Sequence, residues 1–266
     1  MSGALQRLRD TPLPPQEKLL EIKAGYRDWP INDTNDSYHE PLVNVQDAGI
    51  AGENLYHHPN HPPYYTSVPG SIAELYVRKG VLEKLLRVQE KLKACGLELY
   101  LFDGWRPAAV QAYMHDTWLP EKLRTQHPHW NTEQVAKHVN QYWAAGPKHD
   151  AAIDPISPPP HSTGAALDLT IRRIGGTPLW MGTISDDVTE RAHTGAFENL
   201  SENLSFSDEE ARQNRRLLYN LMYEEGFVNN PTEWWHFSYG DQMWAKIRSG
   251  TEGKEVSAIY SNIMPG

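Results

Sequence analysis

Cysteine is nearly absent. The single Cys95 excludes any disulfide within the chain and rules out the cysteine-built zinc folds. It ends a helical pattern and reads most simply as a small buried hydrophobe. Long apolar runs are lacking as well: no stretch nears the ~18 residues of a membrane span. Met1 to Pro15 scatters Leu5, Leu8 and Leu13 among charges. It shows no apolar signal core and no small-residue cleavage site, so no secretory signal is expected. Positive charge is in deficit: 25 Lys+Arg against 34 Asp+Glu gives −9. That balance argues against nucleic acid or an anionic membrane as partner. Internal repeats and low-complexity tracts are missing too. These absences lead to the expectation of a soluble cytoplasmic globular protein, with a homo-oligomer left open.

Proline, glycine and tryptophan are plentiful: 20, 19 and 9 in 266 residues. The length allows one large domain or two small ones, and a core that needs no metal or disulfide merely to fold. Prolines cluster at 12–15, 59–69 and 155–160, and each cluster reads as loop. Residues 1–70 carry no clear period and are expected to form an arm and irregular loops covering a core. Residues 71–266 are expected to form the main domain, the whole making one compact unit.

From Ser71 to Cys95 the pattern is helical, with Leu82, Leu85, Leu86, Gln89 and Leu92 on one face and Gly96 as a stop. Leu97 to Phe102 reads as a strand running into the turn Asp103-Gly104-Trp105-Arg106-Pro107. Pro107 suits the start of a second helix. A third is expected over Thr132 to Trp143. Ala165 to Ile171 alternates cleanly, with Leu167, Leu169 and Ile171 on one face and Ala166, Asp168 and Thr170 on the other. Ser207-Asp208-Glu209-Glu210 looks like a capping box opening a helix to Gly226. Trp234 to Tyr239 is aromatic and β-favouring. Strands joined by long connections suit an α+β domain with a mostly antiparallel sheet.

Three places set polar residues among packed ones: His161 with Asp168, Glu233-Trp234-Trp235-His236, and Arg106 at a strand end. Hydrolytic zinc takes three protein ligands from His and Asp/Glu. His161, Asp168 and His236 would supply such a set. Glu233 would remain free to take a proton from water, and Arg106 to steady an oxyanion. In a regular strand, however, Glu233 and His236 point to opposite faces, so a bend near Trp234 is required. Plainer readings stand beside these. His161 and His236 also suit hydrogen-bonded core histidines, Asp168 a sheet-edge carboxylate, and Arg106 a structural ion pair. Trp234 and Trp235 suit core and pocket wall. His57, His58 and His61 lie in a Pro/Asn loop and are read as structural.

The ordered motifs are similar to those of a known family. His161-x-x-Gly164-x-Ala166-x-Asp168 and Glu233-Trp234-Trp235-His236 resemble the two metal motifs of the D-alanyl-D-alanine dipeptidases of the VanX type. Asp103 to Pro107 resembles their arginine-bearing turn. Asn214 to Leu218, Glu225-Gly226-Phe227 and Met181-Gly182-Thr183 with Asp186 resemble further segments. The resemblance covers roughly residues 70–240.

It implies a small α+β zinc peptidase with a central, mostly antiparallel sheet flanked by helices, of the kind shared with D-Ala-D-Ala carboxypeptidases and Hedgehog-like domains. It implies one zinc per chain on His161, Asp168 and His236, with Glu233 as general base and acid. Arg106 would stabilise the transition state, and Asp186 would receive the substrate ammonium beside Trp235. The implied substrate is a small dipeptide, D-Ala-D-Ala. The alternatives are another small dipeptide, a peptidoglycan stem peptide, or a non-catalytic zinc-binding Hedgehog-like module. Two positions depart from the family pattern: Pro159 replaces the serine that leads the motif, and Ile50 stands where the family carries a tyrosine.

Overall fold

Residues 3–142, 145–198 and 204–265 are described in the computed structural model. The first seventy residues hold more regular structure than their composition suggests. Helices α1 (Gly3–Asp10) and α2 (Gln16–Lys23) are followed by a 3₁₀ turn at Tyr26–Asp28 and the short strands β1 (Leu42–Asn44) and β2 (Ala51–Gly52). Eight-residue helices are marginal alone, and α2 has no side-chain cap. Docking supplies what propensity does not. Leu5 of α1 joins the main core, and Leu19 of α2 packs with Met243, Trp244 and Ile247. A fully buried leucine side chain contributes ~2 kcal/mol, enough to hold such a turn of helix in place.

Next come β3 (Tyr76–Arg78), α3 (Lys79–Lys93) and β4 (Leu97–Asp103). The helical reading from Ser71 is thus shortened by eight residues, because Tyr76, Val77 and Arg78 pair with Asn44, Val43 and Leu42. The buried face of α3 is Val81, Leu85, Val88, Gln89 and Leu92, with Leu82 and Leu86 at its flank. Then follow α4 (Ala108–Tyr113), a π turn at Met114–Trp118, α5 (Leu119–Gln126) and α6 (Thr132–Tyr142). Trp143, the expected end of α6, lies outside the described residues.

The second half holds β5 (Ala166–Arg173), α7 (Phe206–Glu224), β6 (Val228–Asn229), β7 (His236–Ser238) and α8 (Gln242–Glu252). Helix α7 starts earlier than the Ser207 capping box suggests. Ser205 is the cap, its hydroxyl accepting from the Asp208 N–H.

The main sheet has the order β2-β4-β5-β7-β6, parallel only at β2–β4 and antiparallel elsewhere. Leu167, Leu169 and Ile171 of β5 pack into a core with Leu85, Leu92, Leu218 and Leu221 from α3 and α7. The fold is therefore α+β, a mostly antiparallel sheet flanked by helices. Among the described residues, no helix is long and apolar enough to cross a membrane.

Register places the polar residues. Leu101 faces Leu169, yet Asp103 faces Asp168: β4 advances two residues while β5 retreats one. Without that bulge Asp103 would oppose Leu167 on the apolar side. With it, Asp103 moves to the face that carries Asp168. Asp168 in turn faces His236. Asp103, Asp168 and His236 thus form one row across three strands.

Candidate active site

The row is completed from two turns. His161 lies in a 3₁₀ turn, Pro160–Thr163, just before β5. Gly164 follows with φ +68°, a left-handed conformation that lets the chain drop directly into the strand. Arg78 clamps this turn from beneath: its Nε donates to Thr163 O at 2.7 Å and its Nη2 to Ser261 O at 2.8 Å. Arg106 sits in the turn after β4.

His161 Nε2 and His236 Nδ1 are 3.1 Å apart, and His236 Nδ1 is 3.2 Å from Asp168 Oδ1. His161 Nε2 is 3.5 Å from the other carboxylate oxygen, Oδ2. A tetrahedral zinc with bonds near 2.0–2.1 Å has ligand-to-ligand edges of about 3.3 Å. The side chains are oriented for it. His161 Nδ1–H donates to Gly104 O at 2.9 Å, which turns the Nε2 lone pair to the centre. Asp168 Oδ1 is buried and has no hydrogen-bond partner among the described residues, an atom that a cation would satisfy. Three buried carboxylates, Asp103, Asp168 and Asp186, converge around one buried cation, Arg106. The donor set and the excess of negative charge fit a divalent ion.

Burial and the neighbouring His161 push His236 down to about 3, so its imidazole is neutral, as a ligand must be. Burial raises Asp168 above the usual carboxylate range. Burial and Arg106 oppose a charge on His161, but Asp168 and Asp103 outweigh them and raise it.

Glu233 does not lie in a strand. β7 begins only at His236, two residues later than the expected strand, and residues 230–236 form a tight turn. Glu233 N–H donates to Asn230 O and His236 N–H to Glu233 O. This is the required bend, and it brings Glu233 Oε2 to 3.6 Å from His236 Nδ1.

Arg106 is held at three points. Nε donates to Asp103 Oδ2 at 2.7 Å, Nη1 to Gln111 Oε1 at 3.0 Å, and Nη2 to Asp168 Oδ2 at 2.9 Å. The guanidinium also stacks over the Tyr56 ring at 4.6 Å. The ion-pair reading of Arg106 therefore holds, and the pair fixes the group at the centre, 3.3 Å from His161 Nε2.

Asp186 accepts from Tyr56 Oη at 3.0 Å and Tyr64 Oη at 2.8 Å, both on Oδ2. Burial pushes it up to about 6, with Asp168 adding to the rise and Arg106 opposing it. Its φ of +56° is uncommon outside glycine. Trp235 is buried against the site, while Trp234 donates from Nε1 to Thr183 Oγ1.

All seven residues singled out from the sequence — His161, Asp168, His236, Glu233, Arg106, Asp186 and Trp235 — line one cavity of about 420 Å³. Sequence reasoning missed Asp103, Tyr56 and Tyr64. Asp103 had a signal, its i,i+3 spacing to Arg106. The tyrosines lie in a Pro/His loop with no period to read. Ile50 is core.

The other histidine group is closed on itself. His58 and His61 present Nε2 to Glu53 at 3.1 and 2.8 Å. The Asn60 N–H points at His58 Nδ1, which leaves the His58 proton on Nε2, facing the carboxylate. The same three side chains lie near enough together to hold a metal ion, but they are partly exposed and bonded to one another.

Comparison with known proteins identifies a family. The family model described as D-ala-D-ala dipeptidase matches residues 71–251. A D-alanyl-D-alanine dipeptidase of a Synechocystis species is 32% identical over 250 residues, covering 89% of this chain and 91% of its own. One from Enterococcus faecium is 32% identical over 162 residues, 60% of this chain and 71% of its own. Among solved structures, VanYB in complex with D-Alanine-D-Alanine aligns over 86% of this chain and 94% of its own, at 12% identity and a TM-score of 0.42. On the family match and the Synechocystis relative, the chain belongs to the D-ala-D-ala dipeptidase family of peptidases.

Proposed function

We propose that this chain is a zinc-dependent dipeptidase that hydrolyses D-alanyl-D-alanine to two molecules of D-alanine. The observation that carries the reading is the convergence of His161 Nε2, Asp168 Oδ1 and His236 Nδ1 beside a carboxylate, Glu233, that stands outside the set. His161, Asp168 and His236 would hold one zinc. When bound, the ion acts as a Lewis acid on the scissile carbonyl and lowers the pKa of water.

The remaining work falls to the chain. Glu233 takes the proton of the attacking water and returns it to the leaving amine. Arg106 keeps one Nη2 N–H on Asp168 and aims the group's positive charge at the developing oxyanion. Asp186 offers Oδ1 to the substrate ammonium while Tyr56 and Tyr64 hold Oδ2. Trp235 forms a wall of the cavity. Residues 1–70 belong to the same folding unit in this reading, since α2 and the turn after it line the cavity too.

Zinc content tests the ligand set. The wild-type chain binds one zinc, and His161→Ala and His236→Ala each lose it while remaining folded by circular dichroism. Full zinc in both variants would refute the assignment.

A further inference from the structure

A dipeptide carries two charges, and the site described so far accounts for one. Asp186 serves the ammonium. The carboxylate end lies on the leaving residue, whose amine must sit beside Glu233 to receive its proton. That end therefore arrives next to a like charge and needs a cation of its own.

Three cations line the cavity: Arg27, Lys23 and Arg106. Arg106 is committed at three points, two of them on carboxylates. Arg27 is turned to Ser157, with Nε on Oγ at 3.2 Å and Nη2 on the carbonyl. Lys23, the last residue of α2, is likewise bonded only to a neutral group, but on the Glu233 side of the centre. Its hydrogen bond goes to a neutral amide, Asn230 Oδ1, at 2.7 Å. It forms no ion pair with a described residue, and an ammonium has three N–H groups to give. Desolvation lowers its pKa, with Glu233 acting the other way, and the partly exposed ammonium has no bonded anion.

The placement fits the need. Asn230 opens the turn that carries Glu233 and His236, so Lys23 is tied to the Glu233 side of the centre. Asp186 is tied to Tyr56, Tyr64 and the Arg106 side. The adjoining wall, Pro159–Pro160, has no N–H to offer a carboxylate.

We propose that Lys23 binds the C-terminal carboxylate of the substrate and so sets the specificity for dipeptides with a free C-terminus. The proposal rests on the dipeptidase reading above. It makes α2 part of the substrate site. A chain extended beyond the second residue would place a neutral amide where Lys23 expects an anion.

The test uses the full chain, zinc-loaded, with Lys23→Met and Lys23→Arg. The substrates are D-Ala-D-Ala and its C-terminal amide. Turnover is measured along with calorimetric binding. A charge-assisted hydrogen bond corresponds to ~10–100-fold in affinity. The wild type should prefer the free acid over the amide by about that factor in kcat/KM and in Kd. Lys23→Met should bring the preference close to one, mainly through KM, and Lys23→Arg should restore most of it. Equal losses on acid and amide would overturn the proposal and make Lys23 a neighbour of Glu233 only. A preference that survives Lys23→Met would overturn it too. If the wild type hydrolyses neither compound, the dipeptidase reading fails. Acid-over-amide binding that depends on Lys23 would then still support the anchor, and binding indifferent to Lys23 would overturn it.

Discussion

At the scale of single residues, the site is a balance of buried charges. Asp186 is the sharpest case. Burial pushes its carboxyl up to about 6, above the ~3.9 of a free aspartate. The raised value favours the protonated form. In the role proposed for it, the group below about pH 6 takes a proton and loses its hold on the substrate ammonium, and above it the carboxylate is ready. KM for a dipeptide should rise about tenfold per pH unit once the pH falls below that value. A bound divalent cation moves the limb to lower pH. Asp186→Asn should give a high KM that does not vary between pH 5 and 7. A wild-type KM that stays flat as the pH falls from about 7 to about 4 would contradict the role.

The metal-type residues were legible because their motifs are compact and ordered, as was Arg106. Tyr56 and Tyr64 were not. They reach Asp186 from a loop more than 120 residues away in sequence, and no local spacing reports such a contact. Lys23 was hidden in the same way, in a helix that looked like an arm.

At the scale of elements, small departures from regular geometry aim the side chains. The bulge in β4 turns Asp103 to the polar face, and the tight turn before β7 turns Glu233 towards His236. The second could be demanded from sequence, since strand parity put Glu233 and His236 on opposite faces. The first could not, because a bulge leaves no mark in the alternation of Leu97, Leu99 and Leu101. Gly164 is a further such point. A Cβ there would lie 2.4 Å from Leu42 Cδ2, and the residue holds φ +68°. The left-handed backbone costs a non-glycine residue ~1 kcal/mol, and displacing Leu42 adds to it. Gly164→Ala should destabilise the chain by ~1–3 kcal/mol in urea unfolding. Leu42→Ala in the same background should relieve part of the added strain. A Gly164→Ala chain as stable as wild type would show that the turn carries no such constraint.

At the scale of the whole molecule, the core and the site share one sheet. One face of the central strand packs against α3 and α7, and the other carries Asp168. The central strands β4 and β5 and the helices α3 and α7 follow from periodicity, and the antiparallel pairing from the long connections between strands. Helices α1 and α2 do not, since each is short and is held by docking against α7 and α8. Gathering three carboxylates around one arginine costs stability unless a cation offsets them. A tightly bound ion should add RT ln(1 + [L]/Kd), about 4 kcal/mol at a thousandfold excess over Kd. Chelation should therefore lower the melting temperature, and added zinc should restore it. A melting temperature indifferent to both would mean that the cluster holds no ion.

The central claim is a reaction, and the most direct test is to look for its product. Purified zinc-loaded chain is incubated with D-Ala-D-Ala, and free D-alanine is measured alongside chelator-treated protein and Glu233→Gln. The account predicts two D-alanines per dipeptide from the wild type. Chelation should abolish release, and a zinc-replete Glu233→Gln chain should fall by ~10²–10⁴-fold. No D-alanine from a folded, zinc-replete wild type, or near-normal release from Glu233→Gln, would contradict it.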